Sequence, residues 1–217
     1  TPSVPWIASA GSFVFGFWER SRNSRRKRLA SSASVGGTSW RAIERLPDVS
    51  DDFFVNDLKA DLHDPDTVYA VVDDHKSGDF APHIFRSDDR GRTWTRISDG
   101  LPERHVVWRI VQDHVTPGLL FAATEFGVFF TIDAGDRWVK LAGGAPTIAF
   151  RDLAIQTRED DLVGATFGRG FWIFDDYSPL REVSEALAPQ LLRALGFGTP
   201  AEPQSAMSTW LQDVSSL

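Results

Sequence analysis

SDDRGRTW, residues 87–94, sets two adjacent carboxylates beside two arginines, a glycine, a threonine and a tryptophan. Two chemistries fit such a cluster. Carboxylates with arginines suit the binding and cleavage of an acidic sugar, and the same residues suit a tight turn that fixes a fold. The surrounding sequence separates them. SDDRGRTWTRI (87–97) has a partner in TIDAGDRWVKL (131–141), where Ser87/Thr131, Asp89/Asp133, Gly91/Gly135 and Trp94/Trp138 each stand 44 residues apart. A third copy, GFWIFDD (170–176), follows GVFFTID (127–133) at an offset of 43 and loses the Gly and the Trp. A catalytic cluster has no reason to recur, whereas a turn in a repeated unit does.

Other elements repeat with it. DPDTVYAVV (64–72), TPGLLFAAT (116–124) and EDDLVGAT (159–166) each read as a turn followed by a strand. FFVNDLKA (53–60), VVWRIVQD (106–113) and AFRDLAIQ (149–156) precede them. Each unit thus holds three or four short strands bounded by Gly, Pro and Asp, with no helical periodicity between 40 and 180. Four strands per unit of 44 residues is the pattern of a β-propeller blade. In the first complete unit the strands fall near 54–60, 67–72, 83–87 and 93–97. Trp40 reads as the end of a still earlier unit. The fold class is therefore all-β, a partial propeller of about three four-stranded blades, with a short C-terminal helix (Val183 to Leu195, interrupted by Pro189) and a loose tail.

Three segments follow. Residues 1–39 are Ser- and Arg-rich with Glu19 as the only acid, residues 40–180 carry the repeat, and residues 181–217 form the helical tail. The first segment departs abruptly from the blade pattern, as a disordered insertion or a frame-shifted reading would. Its RSRNSRRKR run (20–28) reads first as a disordered insertion. The run from Val4 to Trp18 is 15 residues, shorter than the roughly 20 that cross a bilayer as a helix. Its basic cluster follows the apolar run instead of preceding it, so no intact signal peptide is expected here. A start at Thr1 predicts a truncated or processed chain.

Composition narrows the function. The chain has 217 residues, 42% hydrophobic and 24% charged, as a globular core requires. A net charge of −7 argues against a nucleic-acid partner, which needs a basic face to displace counterions. With no cysteine, thiolate metal sites, disulfides and a Cys nucleophile are excluded. No cofactor or metal site is expected.

Ser-x-Asp-x-Gly-x-Thr-Trp is the pattern of the Asp box, or BNR repeat. SDDRGRTW matches it at every fixed position, and TIDAGDRW matches at Asp133, Gly135 and Trp138 with Thr131 for Ser. With TEFGVFFTIDAGDRW and GATFGRGFWIFDDYSPLR, residues 40–182 resemble the sortilin/VPS10-like and glycosyl-hydrolase-type BNR propellers of bacteria. The resemblance implies a propeller fold, a secreted or periplasmic setting, and a protein, peptide or carbohydrate ligand. It also implies further blades of a larger propeller as partners, because two complete units, a partial one and a remnant do not close a ring of the usual four to eight blades. Unpaired end faces would then leave Phe and Trp exposed.

The turn chemistry is explicit. Asp89 is placed to accept backbone N–H bonds, Gly91 to take a positive φ, Ser87 and Thr93 to bond across the mouth, and Trp94 to pack on the adjacent sheet. In a meander the 3–4 turn and the 2–3 turn lie at opposite ends. Candidate binding residues therefore belong to the 2–3 and 4–1 connections: Asp73, Asp74 and His75 in a long loop (73–82), Arg104 and His105 after GLPE, Glu125 in TEFG and Arg169 in FGRG. Their plain reading is solvated loop and rim charge. A glycosidase needs two carboxylates flanking one bond. Asp57, Asp152 and Glu125 are the acids near a channel, but the repeat sets Asp57 against Arg109. A sialidase-type tyrosine nucleophile has only Tyr69 and Tyr177 to draw on, the first in a core strand and the second in the last turn. The leading expectation is a binding scaffold, with glycoside hydrolase as the alternative.

Overall fold

The computed structural model describes residues 7–10, 13–19, 27–32, 40–43, 45–50, 53–141 and 145–183. Four antiparallel meanders follow one another along the chain. The first is β1 (Ile7–Ala10), β2 (Phe13–Glu19), β3 (Lys27–Ser32) and β4 (Trp40–Ile43). The second is β5 (Phe54–Ala60), β6 (Val68–Asp74), β7 (Asp79–Ser87) and β8 (Thr95–Arg96). The third is β9 (Val107–Gln112), β10 (Leu120–Thr124), β11 (Gly127–Thr131) and β12 (Val139–Leu141). The fourth has three strands, β13 (Phe150–Gln156), β14 (Asp161–Thr166) and β15 (Phe171–Phe174). A short 3₁₀ turn, Ser178–Glu182, ends the described chain. The helix expected over Val183 to Leu195 lies outside the described residues beyond its first position. Three strands of the first sheet fall inside residues 1–39. Arg20 to Arg26 of the basic run lie outside the described residues.

Alternation of side chains explains why these runs are so apolar. Val68, Ala70 and Val72 of β6 pack toward the first sheet with Phe53, Val55 and Phe85. Tyr69 and Val71, one residue out of phase, pack toward the third sheet with Val107, Ile110, Leu120 and Trp138. The opposite face of the third sheet, with Phe121, Ala123 and Phe130, meets Phe150, Leu153, Leu162 and Tyr177 of the last segment. A strand buried on both faces needs apolar residues at both parities. Three strands of the middle sheets satisfy this, since every residue of β6, β10 and β11 is buried. Among the described residues the fourth sheet has no neighbour on its far face, and β15 leaves Phe171 76% and Ile173 58% exposed.

The 88–94 turn joins β7 to β8, and the 132–138 turn joins β11 to β12. Asp89 Oδ1 accepts from the Arg92 and Thr93 N–H groups at 2.9 and 2.8 Å, and from Ser87 Oγ at 2.8 Å. Its Oδ2 accepts from Thr93 Oγ1 at 2.7 Å, and Ser87 Oγ accepts from Gly91 N at 2.8 Å. Arg90 and Gly91 both take positive φ, +65° and +75°. The second copy repeats this: Thr131 bonds Asp133, Arg137 N donates to Asp133 Oδ1 at 3.0 Å, and Gly135 N donates to Thr131 Oγ1 at 3.1 Å. Gly135 is at φ +103°, and a Cβ there would stand 2.7 Å from Ile97 Cδ1. Trp138 is 2% exposed and donates Nε1–H to the Ile97 carbonyl at 2.6 Å. The two tryptophans differ, because the buried Trp94 Nε1 has no partner among the described residues.

Burial pushes the Asp89 carboxyl up, but the Thr93 N–H and hydroxyl, Ser87 and the Arg92 N–H outweigh it and lower it to about 2. The folded carboxyl therefore takes up its proton less readily than the unfolded one. The stabilisation is complete above the ordinary carboxylate range and is lost as pH falls through about 2. Asp89→Ala should cost about 1–2 kcal/mol at neutral pH, the scale of a lost capping carboxylate. Urea unfolding of the variant should also show a shallower loss of stability on acidification. An unchanged midpoint would contradict this role.

Candidate ligand-binding face

Hydrogen bonds sort the connections into two ends. At one end, Arg90 N donates to the Asp66 carbonyl at 2.9 Å and Ala134 N to the Gly118 carbonyl at 2.9 Å, joining each 3–4 turn to the 1–2 turn of its own sheet. At the other end, Glu125 N donates to the Val106 carbonyl at 3.0 Å and Phe167 N to the Ala149 carbonyl at 2.8 Å, joining 2–3 turns to 4–1 links. The Asp89 turn is thus remote from the loops that carry the candidate binding residues.

Residues 73–82 are a lengthened hairpin, not a long loop. β6 runs to Asp74 and β7 starts at Asp79, which leaves one 3₁₀ turn, His75–Ser77, and Gly78 at φ +91°. Asp73 and Asp74 are 1% and 3% exposed. Asp74 accepts from Ser50 Oγ at 2.5 Å and Ser77 Oγ at 2.6 Å, and Asp73 binds the His75 ring and N–H. These carboxylates pin the hairpin and do not reach into solvent.

The other candidates gather beside aromatic rings. Arg104 lies over Phe80 at 5.5 Å. His105 meets Phe126 edge-on at 5.1 Å and Phe129 at 5.8 Å. Glu125 accepts from Trp108 Nε1 at 2.9 Å, and Arg151 stacks its guanidinium on the Trp108 ring at 3.7 Å. Arg169 is exposed in the β14–β15 turn and forms no ion pair with a described residue. The 2–3 hairpins of the second, third and fourth sheets each raise a phenylalanine: Phe80 is 41% exposed, Phe126 42% and Phe167 71%. A shallow depression opens beside them, lined by Phe80, Pro82, Arg96, Leu101 and Arg104.

Trp108 and Arg151 escaped the sequence reading. Both are the extra residue of a β-bulge on an innermost strand, as is Asn56: register shifts fall between Val55/Asp57, opposite Val107/Arg109, and between Phe150/Asp152. A bulge frees one side chain from the pleat and aims it elsewhere. Asn56 uses the freedom to donate to the Val107 carbonyl at 2.7 Å, and Trp108 and Arg151 use it to stack. The aligned VND, VWR and FRD triplets carried the signal, but a regular strand period hides a bulge.

The innermost strands also settle the carboxylates. Arg109 donates Nη1–H to Asp57 at 2.9 Å and Nε–H to Asp152 at 2.7 Å, stitching the innermost strands of three consecutive sheets. Burial lowers the Arg109 pKa and its two acids more than restore it, so it ends above its usual value. Both inner carboxylates are thus engaged by one guanidinium. The tyrosines are held as donors: Tyr69 OH binds Asp61 at 2.8 Å and Tyr177 OH binds Asp113 at 2.7 Å. Desolvation, followed by these acids, raises both phenols above their usual range.

Solved structures share this fold. A xyloglucanase of family GH74 from Xanthomonas campestris aligns with TM-score 0.56 and 14% identity over 79% of this chain and 29% of its own. A GH74 enzyme from Niastella koreensis aligns at 0.58 and 10%, over 81% and 29%. YCF48 bound to D1 peptide aligns at 0.56 and 15%, over 81% and 50%. The chain is a partial β-propeller. At these identities the likeness establishes the fold alone. The chain spans about a third of the two enzymes and half of YCF48. No family model matches it, and no curated protein does. The four meanders are its blades, and the innermost strands β5, β9 and β13 carry the Arg109 stitch. Among the described residues, no helix is long and apolar enough to cross a membrane.

Proposed function

We propose that this propeller arc is a non-catalytic scaffold that binds a protein, peptide or glycan on the face of the 2–3 and 4–1 connections. One observation carries the reading. Three successive blades raise Phe80, Phe126 and Phe167 on that face, with Arg104 and Arg151 stacked on neighbouring rings. Aromatic and arginine groups standing in solvent are the residue types that concentrate binding energy at interfaces. The engagement of Asp57 and Asp152 by Arg109 supports binding over glycoside hydrolysis. The exposed far face of the fourth blade is assigned to the remaining blades of a larger propeller.

The test is a paired screen of the chain, alone and within its longest expressible form, against a peptide array and a panel of aryl glycosides and polysaccharides. Ligand capture that weakens about tenfold or more in a Phe126→Ser/Phe167→Ser variant is expected, the effect of removing hot-spot rings. Turnover of any glycoside that vanishes when one inner carboxylate is changed would overturn the reading in favour of a hydrolase.

A further inference from the structure

Arg151 is a cation on this face whose side-chain donors have no hydrogen-bond partner among the described residues and whose position is set by a ring. Its guanidinium carbon lies over the Trp108 ring, 3.7 Å from the centroid, and 5.7 Å from the Phe167 centroid. The acid near it, Glu125, stands at 3.8 Å, beyond hydrogen-bond range, and Glu125 Oε2 already accepts from Trp108 Nε1. The Arg151 side chain is 42% exposed, and none of its N–H groups has a hydrogen-bond partner among the described residues. The adjacent Asp152 does not supply one, because Arg109 Nε holds it at 2.7 Å.

Stacking fixes the plane of a guanidinium and leaves its edge free. The edge is a fork of parallel N–H donors that matches both oxygens of a carboxylate. Immobilising a long side chain normally weakens such a pair, and here the Trp108 ring has already immobilised it. Glu125 is an ion-pair partner at 3.8 Å that makes no direct hydrogen bond to the fork. Beside the fork, Phe167 offers a ring that is 71% exposed.

We propose that the Arg151 guanidinium, oriented by Trp108, receives an aspartate or glutamate side chain of a peptide ligand whose neighbouring aromatic residue packs on Phe167. The assignment rests on the binding reading above and names the ligand chemistry of one part of that face. Trp108 acts as the positioning residue.

The test is a nuclear magnetic resonance titration of the full chain. N-acetyl-Glu-Phe-amide, N-acetyl-Gln-Phe-amide and glucuronate are the probes, and the Arg151 Nε–H and Trp108 Nε1–H resonances are the readout. The Glu-Phe peptide should shift both resonances and bind about tenfold tighter than Gln-Phe, the scale of a charge-assisted bidentate pair. Arg151→Met should erase that preference, and Arg151→Lys should restore only part of it, because an ammonium lacks the fork. If Arg151→Met fails to fold, the Glu-to-Gln comparison on the unaltered protein still decides. Equal affinity for the two peptides, or an unaltered preference in folded Arg151→Met, overturns the carboxylate assignment and leaves the binding reading intact. Glucuronate binding as tightly as the Glu-Phe peptide overturns the peptide assignment. Failure of all three probes to move these resonances overturns the proposal. If the peptide array also yields no ligand, the binding reading falls with it.

Discussion

Arg181→Ala should cost about 3–5 kcal/mol of stability, the scale of stranding a buried carboxylate. Asp113 is the reason. It sits between the third and fourth blades with its side chain fully buried. Arg181 clamps it through Nε at 2.9 Å and Nη2 at 2.8 Å, and reaches Asp160 through Nη1 at 2.9 Å and Nη2 at 2.6 Å. Tyr177 OH adds a bond at 2.7 Å and Thr116 N another at 2.7 Å. Burial alone would raise the Asp113 carboxyl; Arg181, Tyr177 and the Thr116 N–H hold it well below the usual carboxylate range. Removing Arg181 leaves the charge buried with three neutral donors, Tyr177 OH and the Val115 and Thr116 N–H groups. Urea unfolding should show the loss, and circular dichroism should show it if the variant no longer folds. Asp113→Asn combined with Arg181→Met should recover much of it, since no charge is then stranded. A loss below about 1 kcal/mol for the single variant would mean the clamp behaves as a surface pair. The sign in pH follows from the lowered carboxyl. The clamp stabilises fully above the ordinary carboxylate range and fails as acid protonates Asp113.

Trp138→Ala should cost a similar amount, about 3–5 kcal/mol, as for other large buried aromatics. The ring fills the seam between the second and third blades, in contact with the cluster that holds Ile97, Leu101 and Val107. Its backbone N–H also donates to the Asp99 carbonyl at 3.0 Å, and that bond survives substitution. The alanine variant therefore isolates the side chain. Trp138→Phe keeps most of the ring volume and loses the Nε1 bond to Ile97, so it should cost about 1 kcal/mol, the net worth of one hydrogen bond. Thermal unfolding of the two variants orders the effects. If phenylalanine costs as much as alanine, the hydrogen bond and not the packing governs this seam.

Much of the architecture was legible in the residues themselves. The recurrence of Ser/Thr, Asp, Gly and Trp at one spacing marked the 3–4 turns, since each residue type answers a local demand that no long-range contact alters. A carboxylate collects N–H groups within four residues of itself, and a glycine takes the φ that other residues resist. The apolar run from Val68 to Val72 marked a core strand. The order of the strands then placed the Asp89 turn away from the binding loops, as the hydrogen bonds of both ends agree.

The candidate face was read less well. Asp73 and Asp74 look like ligands in a one-dimensional list of acids. Folding turns them into buried acceptors for Ser50, Ser77 and His75, partners that lie up to 24 residues away. Trp108 and Arg151 look like ordinary members of inner strands, because a one-residue bulge leaves no mark in composition. Tertiary structure alone decided that a tryptophan of the third blade supports an arginine of the fourth. It also decided that Arg109 unites Asp57 and Asp152, and that Arg181 secures Asp113 across 68 positions. Sequence by itself determined the turns and strands, whose causes lie within a few residues. The site and the clamps waited on the packing of blade against blade, because charges and rings act through space and their neighbours are set by the fold.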